Sequence, residues 1–112
     1  MMNEEDLIRI KHMLDAAEKV IGFTSNANRS DLDKDEKLAL ALIRLIEVIG
    51  EASNSVSSEV KEKHPTIPWR AIAGARNRLV HGYFDVDYDV VWEIARVDTP
   101  DLVNKLKIIL IR

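Results

Sequence analysis

Arg70, Arg76, Arg78 and His81 fall within one segment, Trp69 to His81 (WRAIAGARNRLVH), that holds no acidic residue, and Asn77 adds a neutral polar group among them. The flanking stretches are rich in Asp and Glu, so the segment reads as a local cationic island. Cutting an RNA phosphodiester without a metal needs one group to take the proton from the ribose 2′-hydroxyl and another to stabilise charge on the phosphorane. Histidine titrates in the range suited to the first task, and the planar guanidinium of arginine matches phosphate geometry for the second. Arg76 and His81 are five positions apart, a separation that diverges by about 140° on a regular helix. Asn77 and His81 are four apart and would share a helical face. A helix end that unwinds at Gly82 could swing His81 toward Arg76. The same residues also suit a plainer role, because cations near a helix C-terminus complement its dipole.

The elements that must carry these groups follow from apolar spacing. Leu7, Ile10, Leu14, Ala17 and Ile21 recur in steps of three and four and predict an amphipathic helix over 4–23, with acidic residues in its first turn. The stretch Gly22 to Asp33 has loop composition and offers N-caps at Ser30 to Asp33. A second helix is expected from about Lys34 to the low sixties, apolar almost all round as far as Ile49 and closed by His64-Pro65. Pro68 opens a third helix over 69–81, stopped by Gly82. Asp85 to Asp89 form an acidic turn that caps a fourth helix through Arg96, and Asp98-Thr99-Pro100 cap a fifth through Ile111. No window alternates as a strand does. The expected fold is all-α, an up-and-down four-helix bundle with a short additional helix, in one domain over 1–112.

Composition narrows the class. The chain of 112 residues is 46% hydrophobic and 31% charged, which fits one compact core and neither a disordered nor a membrane protein. No apolar run is long enough to cross a bilayer and the first residues are acidic, so a cytoplasmic protein is expected. A net charge of −3 argues against holding nucleic acid by bulk electrostatics. Without cysteine, and with His12, His64 and His81 scattered, neither a metal nor a cofactor is expected. Trp69 and Trp92 read as core or interface anchors, and Asp85, Asp87 and Asp89 as capping residues.

The run Arg76-Asn77-Arg78-Leu79-Val80-His81-Gly82-Tyr83, with Ile67-Pro68-Trp69 upstream, resembles the signature of HepT-like toxins, members of the HEPN superfamily of helical bundles. The resemblance implies an endoribonuclease toxin in which Arg76 and His81 are catalytic. Asn77, Arg78 and Arg70 would be auxiliary or RNA-binding. It further implies a homodimer that pairs two motif helices across a shared cleft, and a minimal nucleotidyltransferase antitoxin that adds AMP to Tyr83. The residues themselves agree on the dimer. Each chain offers one well-placed histidine where an acid and a base are both useful, and the second helix is apolar on more faces than one bundle buries. Neither DNA nor a membrane is an expected partner. A non-catalytic helical dimer that binds a nucleotide or a partner protein is the alternative reading, and a purely structural adaptor a third.

Overall fold

The computed structural model describes residues 2–82 and 85–111 and is all-α in class, with one minimal two-stranded ladder. Helix α1 (Glu4–Thr24) starts where the Asn3 side chain accepts a hydrogen bond from the Asp6 amide at 2.7 Å. Its inward stripe Ile10, Met13, Ala17 and Val20 is fully buried. It lies against α3 (Glu36–Asn54) and α8 (Thr99–Ile111). Leu42 and Ile46 of α3 and Leu102 and Leu106 of α8 complete the shared core.

The long second helix expected from Lys34 to the low sixties is three helices. A single turn, α2 (Asp31–Lys34), gives way to α3 at Asp35, whose extended backbone and side chain, accepting from the Leu38 amide at 3.2 Å, start a new helix. Beyond Asn54 the chain breaks again before α4 (Ser58–Lys63). At the new start the Ser57 hydroxyl oxygen accepts from the Val60 amide at 3.4 Å, taking a backbone donor that the first turn of α4 leaves free. Ser57 caps α4 and is itself held by Asp6, whose buried carboxylate accepts from the Ser57 amide at 2.8 Å and its hydroxyl at 2.7 Å.

The helix expected over 69–81 is also divided. Helix α5 (Trp69–Ala73) stops at Gly74, and α6 (Ala75–Leu79) ends before His81. Val80 is extended, and β1 (Val80–His81) pairs antiparallel with β2 (Asp85–Val86), Val80 opposite Val86 and His81 opposite Asp85. The expectation of no strand is therefore corrected. Gly82 adopts φ 79°, which permits the chain to turn out of β1, and the Asp87 amide donates to the Leu79 carbonyl at 2.7 Å.

The fourth and fifth helices, expected as separate, form one continuous rod. Helix α7 (Tyr88–Glu93) runs through a π-helical segment, Ile94–Asp98, into α8. Pro100 has no N–H to give the regular ladder, and the turn widens ahead of it instead of ending. The Thr99 hydroxyl donates to the Ile94 carbonyl at 2.7 Å within that wide turn. Of the acidic trio, Asp87 caps α7 by accepting from the Asp89 and Val90 amides, Asp89 pairs with Arg29 at 2.7 Å, and Asp85 lies in β2.

One close approach fixes where the motif sits. A Cβ added at Gly50 of α3 would lie 3.1 Å from the Ile72 carbonyl oxygen of α5, so the two main chains meet almost directly. Gly50→Ala is expected to lower stability by about 1–3 kcal/mol, the range for overpacking a well-filled contact. Urea unfolding measures it, and an unchanged midpoint would mean that α5 yields freely.

Candidate active site

The motif residues are held by three successive elements. Arg70 is on α5, Arg76, Asn77 and Arg78 are on α6, and His81 is on β1. All five are exposed, while Ala75 and Leu79 anchor α6 in the core. Because α6 ends at Leu79, His81 does not share a helical face with Asn77. The ladder sets its direction instead, with Asp85 as its cross-strand neighbour. Tyr83, the expected modification site, lies outside the described residues.

The cationic island is less isolated in space than in sequence. Nε of Arg76 donates to Glu47 Oε2 of α3 at 2.9 Å. Glu47 also faces Arg44 at 3.7 Å, and Arg44 meets Glu51 at 3.4 Å. Arg78 stands between Glu93 at 3.8 Å and Asp98 at 3.7 Å, on the α7 rod. Arg70 makes no ion pair among the described residues. Opposed carboxylates therefore temper Arg76 and Arg78, while these side chains stay 55% and 43% exposed and open to a polyanion.

The three helical arginines do not converge on one hollow. Arg76 and Asn77 line a groove of about 320 Å³ against Arg44, Glu47 and Glu51 of α3. Arg78 lies over a second groove of about 380 Å³, mostly apolar, between α3, α5 and the π segment. Ile49, Ile72 and Leu102 contribute to its walls, and Val97 on its rim is 65% exposed. Trp69 is half-buried and anchors its end of α5 by donating from Nε1 to the His64 carbonyl at 3.0 Å. Trp92 packs partly buried on the core. Among the described residues no group of three or more His, Asp or Glu side chains is placed to hold a metal ion, and no helix is long and apolar enough to cross a membrane.

Sequence reading missed Glu47, Glu93 and Gly50, and took Asp98 for a helix cap where it faces Arg78. For Glu47 a signal existed: between Leu38 and Gly50 the only charged residues are Arg44 and Glu47, and a charge kept in so apolar a helix calls for a partner. For Glu93 and Asp98 there was none, since their meeting with Arg78 depends on the α7 rod folding back beside α6.

A family model described as "Ribonuclease HepT-like" matches residues 13–109. "Probable ribonuclease HepT" of Thermococcus cleftensis is 38% identical over 98 residues, covering 88% of this chain and 89% of that protein. "Putative RNase MJ1380" of Methanocaldococcus jannaschii is 35% identical over 97 residues, covering 87% and 89%. "Putative RNase TTE0752" of Caldanaerobacter subterraneus subsp. tengcongensis is 38% identical over 101 residues, covering 90% of each. No solved structure matches the chain.

Proposed function

This chain belongs to the HepT-like ribonuclease family, and from that premise we propose that it is the endoribonuclease toxin of a toxin–antitoxin pair, a single domain over 1–112 acting in the cytoplasm. The reaction is attack of a ribose 2′-oxygen on the adjacent phosphorus with departure of the 5′-oxygen of the next nucleotide. It leaves a 2′,3′-cyclic phosphate and a 5′-hydroxyl and needs no metal. His81 takes the 2′-hydroxyl proton, a protonated His81 of the second copy gives a proton to the departing 5′-oxygen, and Arg76 stabilises the charge that builds on the non-bridging oxygens. Asn77 borders Arg76 in its groove as an auxiliary polar contact, and Arg70 meets the RNA backbone. Arg78, tied to two carboxylates, contributes field more than direct contact. The antitoxin is a nucleotidyltransferase that moves AMP from ATP to the Tyr83 oxygen and releases pyrophosphate.

The observation that carries the reading is the setting of Arg76: a side chain 55% exposed in a groove on the motif helix, bonded to Glu47 through Nε. The active species is a homodimer. Beside that groove lies the apolar one, with Val97 exposed on its rim and Arg78, Asp98 and Asp101 along its lining. An apolar patch carrying both signs of charge complements a rotated copy of itself, as a two-fold interface must.

Size-exclusion fractions incubated with total RNA in excess EDTA test the proposal. Cleavage is expected in the dimer fraction, with cyclic-phosphate ends and none from His81→Ala. Cleavage confined to monomer fractions would remove the shared cleft. Cleavage abolished by EDTA would remove the metal-free mechanism, and intact RNA throughout would favour the binding-module alternative.

A further inference from the structure

We infer that Glu47 is the positioning residue for Arg76, so that a carboxylate on α3 sets the efficiency of the motif arginine. This rests on the ribonuclease reading above. Arginine has a long side chain with many rotamers, and a bidentate phosphate contact demands one orientation of its planar fork. On α6 nothing within the helix supplies that orientation, because Ala75 and Leu79 point into the core and Arg76 is exposed. The hydrogen bond from Nε to Glu47 Oε2, at 2.9 Å, supplies it from a second element. Of the two partners Glu47 is the better fixed, being only 23% exposed and in the middle of a nineteen-residue helix. Gly50, one turn further along α3, sets the distance between α3 and α5 through main-chain contact, so the carboxylate stands at a defined height beside the motif.

The mode of the contact separates positioning from masking. A carboxylate that screened Arg76 from phosphate would occupy the terminal nitrogens in a fork-to-fork pair. Glu47 instead bonds Nε, and no hydrogen bond from the two terminal nitrogens to protein is made among the described residues. Arg44, 3.7 Å from the same carboxylate, offsets part of its negative charge. A phosphate arriving at Arg76 is therefore not met by an uncompensated anion.

The test is steady-state cleavage of a short synthetic RNA by the full-length parent and by Glu47→Ala, Glu47→Gln, Arg76→Ala and Glu47→Ala/Arg76→Ala, with thermal unfolding of each. Glu47→Ala is expected to lower kcat by about 10- to 100-fold, the scale of an ångström-level misplacement, with KM changed less than about three-fold. Glu47→Gln keeps an oxygen that accepts from Nε and is expected to recover most of the loss. The double variant is expected to be no slower than Arg76→Ala alone, because the glutamate acts only through the arginine. A Glu47→Ala protein that cuts as fast as the parent, or faster, would overturn the inference and leave the ribonuclease reading standing. So would Gln as poor as Ala together with additive losses in the double variant. A parent that cuts no RNA would overturn the reading and the inference together.

Discussion

Replacing His81 with alanine is expected to slow RNA cleavage by about 10²- to 10⁴-fold, the usual cost of removing a general acid or base, and Arg76→Ala by a comparable factor. Neither change should unfold the protein. Both side chains are exposed, and the hydrophobic anchors of the segment, Ala75 and Leu79, are untouched. The two losses arise from different backbones, which gives them different characters. His81 lies on β1, so its loss removes proton transfer and leaves the arginine groove as it was. Arg76→Ala instead removes the guanidinium from the groove, so RNA affinity should fall along with turnover. Induced expression in a host lacking the antitoxin reads the same effect as growth. If both variants cut RNA and arrest growth as the parent does, the catalytic assignment is wrong.

Tyr83→Phe is expected to produce a protein that folds, remains toxic and can no longer be silenced by the transferase activity of its partner. Tyr83 lies two positions after His81 and one after Gly82, the residue at which the chain turns out of β1. Its oxygen would attack the α-phosphorus of ATP, lose its proton and expel pyrophosphate, leaving a phosphodiester anion and a purine on the motif. On this proposal such an anion would compete with the RNA phosphate for Arg76 through a charge-assisted contact. Phenylalanine keeps the ring and removes the accepting oxygen. Co-expression with the nucleotidyltransferase, followed by intact mass measurement, decides the matter. Additions the size of AMP that persist in the Phe variant, or that never occur in the parent, would take Tyr83 out of the mechanism.

How far the sequence could be read depended on whether local pattern or distant partners decided each feature. The bounds of α1 were legible to within a residue, because its periodicity is regular and its first turn is acidic, but the buried stripe runs through Met13 and Val20 and leaves Leu7, Leu14 and Ile21 only partly buried. The second helix was read too long. Its apolar face gave the direction but not the interruptions at Asp35 and Ser57, where side chains capture backbone amides. The chemistry of the motif was visible as a string of residue types, yet its geometry was not. A helical wheel placed His81 beside Asn77, whereas the ladder with Asp85 and Val86 ends the helix at Leu79 and gives His81 an extended backbone. The charge reading failed for a related reason: an island free of Asp and Glu along the chain is ringed by Glu47, Glu93 and Asp98, contributed by segments on either side of it.

The contact at Gly50 bears on how such a protein can change over evolutionary time. Where two helices are spaced by side chains, every core substitution shifts their separation slightly, and a site carried between them wanders as the core is rewritten. Here the spacing between α3 and the start of the motif is set by main chain against main chain, with the Ile72 carbonyl as the stop. Residues such as Leu42, Ile46 and Leu106 can then be exchanged for others of similar volume without carrying the motif along. The matched proteins are 32–38% identical to this chain, and in this chain a single glycine carries the close approach that sets the working distance.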